Sequence, residues 1–73
     1  MADKTFVKDL KQKHPSLTSG DLKLSIYLRL NLASKEIAPL LNISPRSVEI
    51  KRYRLRKKMN LEKKVELYEY LIQ

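Results

Sequence analysis

Seventy-three residues hold one domain with one modest hydrophobic core. With no cysteine, neither a disulfide framework nor a thiolate zinc site can supplement that core, and neither a membrane span nor a secretory signal is expected from the apolar runs. Sixteen Lys and Arg against eight Asp and Glu give a net charge of +8, and six of the cations fall in residues 51–58, Lys-Arg-Tyr-Arg-Leu-Arg-Lys-Lys, without an acid among them. A block of one sign repels itself and needs an anionic partner: nucleic acid first, an anionic membrane surface second.

The scarcity of Gly and Pro and the lack of alternating strand-like runs predict an all-α fold. Phe6, Val7 and Leu10 form a short apolar stripe that His14-Pro15 ends, so a first helix is expected over residues 4–13, with His14 capping its end. Thr18 is a good N-cap, and Asp21 three residues later completes a capping box. Leu22, Ile26 and Leu30 make the stripe of that second helix, widened by Leu24 and Leu28. Asn31 suits a left-handed C-terminal position, which bounds the helix at about 19–30. Ser34 is expected to cap a third helix, with Glu36 in its first turn and Ile37, Leu40 and Leu41 as its apolar face. Pro39 endangers one hydrogen bond there, which predicts a mild kink and no break.

After a tight turn at Asn42-Ile43, Ser44 caps a fourth helix whose first position is Pro45, where a missing N–H is harmless. This helix should reach about Met59. Asn60 is then expected to cap a fifth helix through Ile72. Leu61, Val65, Tyr68 and Ile72 of that helix would face the core, while Leu67, Tyr70 and Leu71 extend beyond the stripe; Leu67 and Leu71 either widen the core stripe or offer a surface to a second copy. Helix, three-residue turn and helix over residues 35–59 have the dimensions of a helix-turn-helix.

Stepping about 100° per residue, Val48, Leu55 and Met59 fall on one side of the fourth helix and form its buried stripe. Arg46, Ile50, Tyr53, Arg54 and Lys57 fall opposite, with Glu49, Arg56 and Lys58 on the flanks and Arg52 near the core edge. A major-groove helix needs such a face: cations for phosphates, and a few side chains near its N-terminus for base edges. Glu49 can accept from a cytosine amino group, Ile50 can meet a thymine methyl, and Tyr53 lies beside them.

Without a gap from Leu17 to Met59, the chain resembles the LuxR-type (GerE-like) helix-turn-helix domain. The resemblance rests on Leu17-Thr18 with Asp21, on Lys35-Glu36-Ile37-Ala38, on Leu41-x-Ile43-Ser44, on Ser47-Val48 and on Lys58-Met59. Asn31 stands where that family usually has Gly, Asp21 replaces Glu, Gly20 replaces a common Arg, and Lys51 stands where His is frequent. The stretch from Val48 to Lys58 is similar to a variant seen in Bacteroidetes regulators. The resemblance implies base reading by Glu49, Ile50 and Tyr53, and backbone contacts by Arg46, Ser47, Lys51, Arg54, Arg56 and Lys57. It implies a single domain over residues 1–73, a small bundle of four core helices plus a short N-terminal helix, with the helix-turn-helix at about 34–59. Such a domain is normally the C-terminal output of a larger transcriptional regulator, and an excised fragment is the favoured reading of its length. The implied partners are double-stranded DNA, a second copy through the last helix (Leu67, Tyr70 and Leu71 as candidates) and RNA polymerase, in a cytoplasmic, nucleoid-associated setting.

One histidine and no cysteine leave no metal-ligand cluster, and no nucleophile–base pair or phosphate-cradling glycine loop is present. No enzyme activity, metal or cofactor is therefore expected. RNA binding, or a protein-interaction module on the same basic helical fold, remains the alternative to sequence-specific DNA binding.

Overall fold

The computed structural model describes residues 2–73, with side chains from Thr5 onward; Met1 lies outside them. Among the described residues the secondary structure is entirely helical: α1 (Ala2–Lys13), α2 (Ser19–Arg29), α3 (Ser34–Leu41), α4 (Pro45–Lys58) and α5 (Leu67–Leu71). α2 is the central element, packed against α1, α4 and α5, and α3 packs chiefly on α4. The core unites Leu10, Leu17, Leu24, Leu28, Ile37, Ala38, Val48, Leu55, Met59, Leu67 and Leu71.

The starts of the helices are set by local chemistry. Thr18 Oγ1 accepts from the Asp21 N–H at 3.1 Å, and Asp21 Oδ2 accepts from the Thr18 N–H at 2.9 Å, so the capping box forms as expected. Ser44 Oγ accepts from the Ser47 N–H at 3.1 Å ahead of Pro45. At α3 the cap moves by one residue: Ala33 is the N-cap, and Glu36 Oε1 accepts its N–H at 2.8 Å. Ser34, expected to cap, is the first residue inside the helix and its hydroxyl is used elsewhere. α3 continues unbroken through Pro39.

The ends of α2, α3 and α4 share a single device. Asn31, Asn42 and Asn60 take φ of 63°, 57° and 53°. Each places the following apolar residue, Leu32, Ile43 or Leu61, partly buried against the core. In each case the N–H of that apolar residue bonds a carbonyl five residues back: Leu32 to Tyr27, Ile43 to Ala38 and Leu61 to Arg56. The Asn N–H itself bonds a carbonyl three residues back, to Leu28, Pro39 and Lys57. This is the Schellman arrangement, with Asn in the left-handed position where Gly is commoner.

Asn60 therefore ends α4 and does not start α5, which corrects the expected fifth helix. Residues 60–66 form a turn, and α5 begins only at Leu67. Its register follows from its contact with α2: Leu67 and Leu71 are 4% and 2% exposed, while Tyr68 and Ile72 point outward at 37% and 47%. Leu67 and Leu71 thus join the core, one of the two readings expected of them, while Tyr68 and Ile72 turn outward against expectation, because an apolar stripe counted from Leu61 cannot carry through non-helical backbone. As core residues, Leu67 and Leu71 have no surface to offer a second copy. Tyr70 is half-buried, and its hydroxyl shares a 2.6 Å hydrogen bond with His14 Nε2. His14 caps the end of α1, its backbone N–H on the Leu10 carbonyl at 2.9 Å, and its side chain ties α1 to α5. Burial lowers the pKa of its imidazole, and the neighbouring Lys13 ammonium adds to the shift.

Two further stripes are adjusted. In α2 the buried line is Leu24 and Leu28, with Ser25 between them, while Leu30 at the helix end is 64% exposed. The buried Ser25 hydroxyl is satisfied by the Asp21 carbonyl at 2.9 Å. In α3 the small Ala38 is buried beside Ile37, and Leu40 is 51% exposed. Both helices carry more apolar residues than their inner faces can hold.

Candidate nucleic-acid interface

α4 is amphipathic in the expected sense. Val48 and Leu55 are fully buried and Met59, its C-cap, is 3% exposed, so one side is fixed in the core. Away from that stripe, Arg46, Glu49, Ile50, Lys51, Tyr53, Arg54 and Lys57 are all exposed. Ile50 at 42% and Tyr53 at 60% are large apolar groups left in solvent amid charges, which burial alone does not explain.

The base-reading candidates come together on one flank. The Glu49 carboxylate accepts the Ser34 hydroxyl from the first turn of α3 and pairs with Arg52 Nε at 4.0 Å. Both contacts use Oε2, leaving Oε1 open to a further donor. Ser34 was not legible as this partner, because 15 residues and a turn separate it from Glu49. Tyr53 lies one helical turn after Glu49, and the Lys57 ammonium sits 5.3 Å from its ring centroid.

Apart from Arg52, which pairs with Glu49, the cations divide into two groups. Arg46, Lys51 and Arg54 are exposed and make no ion pair among the described residues, and Lys57 meets only the Tyr53 ring. Arg56 and Lys58 are engaged with the protein itself. The Arg56 guanidinium donates to three carbonyls, Val65 at 2.5 Å, Glu62 at 2.7 Å and Lys63 at 3.1 Å. Once α4 ends at Asn60 the chain folds back, bringing those carbonyls within reach of the planar fork. The resemblance implies a phosphate contact for Arg56 and does not foresee these bonds to the protein's own carbonyls. Lys58 Nζ bonds Asp21 Oδ2 at 2.5 Å, tying the end of α4 to the start of α2. Burial pushes the Asp21 carboxyl up, but hydrogen bonds from Lys58 and Thr18 outweigh it and hold the group below its ordinary value.

Ser47 is half-buried, and its Oγ accepts from Ser44 Oγ at 3.0 Å, which leaves its own hydroxyl proton available to an outside acceptor. Among the described residues no cluster of three or more His, Cys, Asp or Glu could hold a metal, and no helix is long and apolar enough to cross a membrane.

Compared with known families, residues 27–71 match the family described as bacterial regulatory proteins, luxR family. Comparisons with curated proteins and with solved structures give no match. The matched segment begins in the last turn of α2 and takes in α3, α4, the connection over 60–66 and α5, so it contains every residue of the exposed basic face.

Proposed function

Because the chain belongs to the luxR family of bacterial regulatory proteins, a family of DNA-binding regulators, we propose that it binds double-stranded DNA sequence-specifically with α4 in the major groove, as the output part of a transcriptional regulator. The observation that carries this reading is the division of α4. One side is locked into the core, and the other leaves Arg46, Lys51, Arg54 and Lys57 available around Ile50 and Tyr53. Free cations at a helix surface neutralise phosphates on either side of a groove, releasing counterions. The groups between them then face base edges.

Within this reading Glu49, Ile50 and Tyr53 read bases. Ser34 holds the Glu49 carboxylate through one oxygen, so the other presents a fixed acceptor to a cytosine amino group. Arg46, Ser47, Lys51, Arg54 and Lys57 meet the backbone. A homodimer on two half-sites would use Tyr68 and Ile72, the apolar side chains that α5 exposes, in place of Leu67 and Leu71.

A salt titration tests the proposal. Binding to duplex DNA should fall with a log–log slope of about −0.9 per phosphate met, hence about −4 for the four available cations of α4. Selection from a random duplex pool should return a defined site. Preference for RNA or single strands, or a pool that enriches no sequence, would reject it.

A further inference from the structure

The Arg56 clamp has a consequence at its far end. Residues 62–65 form a tight turn closed by the Val65 N–H on the Glu62 carbonyl at 3.0 Å. Three hydrogen bonds from Arg56 fasten the carbonyls of that turn to the side of α4. The two residues at its tip, Lys63 and Lys64, are both exposed and make no ion pair among the described residues.

They differ in where they lie. Lys63 lines a groove of about 250 Å³ together with Glu49, Arg52, Tyr53 and Arg56. It also lines a second groove, of about 300 Å³, with Tyr53, Arg56, Lys57 and Asn60. Lys64 lines neither. Tyr53 is common to both grooves, so Lys63 flanks the same surface that carries the base-reading candidates, although it is ten residues away in the chain and off the helix.

We infer that Lys63 is a further phosphate-binding residue, carried to the edge of the DNA-facing surface by a turn that Arg56 holds in place. Resting on the proposed duplex binding, this assigns the turn over residues 62–65 as a second contact element, which extends the footprint of α4 along the sugar-phosphate backbone. Arg56 is the positioning residue: its charge stays on the protein's own carbonyls, and Lys63 supplies the cation outside. An ammonium on a flexible stem suits a phosphate as a point charge and carries no sequence information.

The experiment is a salt titration of the full chain on one duplex, comparing Lys63→Ala, Lys64→Ala, Lys63→Arg, Arg56→Gln and Arg54→Ala, with circular dichroism confirming the fold of each. At about 0.1 M salt, Lys63→Ala should weaken binding roughly five- to tenfold and reduce the magnitude of the slope by about 0.9. Lys64→Ala should change affinity less than twofold, and Lys63→Arg should keep the wild-type slope. With the turn released by Arg56→Gln, a further Lys63→Ala change should cost less than twofold. If Lys63→Ala has no effect while Arg54→Ala weakens binding, the role of Lys63 is overturned and the placement of α4 stands. Equal losses from Lys63→Ala and Lys64→Ala overturn the fastened geometry. If neither Arg54→Ala nor Lys63→Ala matters, the reading of α4 fails with it.

Discussion

The two halves of α4 differ in charge, two cations and an acid in the first against five cations in the second, and they use that charge differently. In the first half, Arg46 and Lys51 stand free, and the one acid, Glu49, is tied to Ser34 of the preceding helix. In the second half, Arg54 and Lys57 face outward, but Arg56 and Lys58 bind the turn over 62–65 and Asp21. A run of six cations within eight residues is therefore not a uniform electrostatic strip. Two of its members, Arg56 and Lys58, hold the domain together at the end of α4, Arg52 pairs with Glu49, and Lys51, Arg54 and Lys57 are left exposed.

Substitutions should separate these roles. The largest effect on folding is expected at Arg56: Arg56→Ala removes three charge-assisted bonds and should lower stability by about 2 kcal/mol, read by urea denaturation. Arg54→Ala should leave the denaturation curve within about 0.5 kcal/mol of wild type and weaken binding to specific and random duplexes alike, roughly tenfold at 0.1 M salt. A matching loss of stability at Arg54 would erase the distinction. Asn60→Ala should cost about 1 kcal/mol, because alanine tolerates the left-handed backbone poorly, whereas Asn60→Gly should be neutral or stabilising.

The smallest effect concerns Asp21. Its folded carboxyl is more acidic than the ordinary value of 3.8, so the stability it contributes is present above that pH and is lost as pH falls through the lower folded value. As the Lys58 pair is partly exposed, the contribution should be below about 1 kcal/mol. Asp21→Asn should flatten the acid limb of a pH–stability profile while leaving duplex binding near neutral pH almost unchanged. A profile identical to wild type would show that the pair is only geometric.

Legibility in the sequence follows the same line between local and distant chemistry. Ser44 with Pro45, Thr18 with Asp21, and the stripe of Val48, Leu55 and Met59 are decided within a turn or two, so the helix-turn-helix and the outward face of α4 could be read directly. The last fourteen residues could not. Leu61, Val65, Leu67, Tyr68, Tyr70, Leu71 and Ile72 are apolar at nearly every helical angle, so periodicity does not choose a face. The choice is made by partners far away in the chain, α2 for Leu67 and Leu71 and His14 for Tyr70. The same limit hid the Arg56 clamp: an arginine in a basic helix reads as a phosphate ligand unless the fold of the following turn is known. Asn60 misled because asparagine serves both ends of a helix, and only the αL backbone that follows α4 decides between them.

Backbone amide resonances followed during addition of a duplex selected from a random pool would test the placement of DNA most directly. Shifts concentrated on residues 46–57 and on Lys63, with the amides of α1 unmoved, are the predicted outcome. Shifts centred on α1 or α5, with those of α4 unchanged, would contradict it.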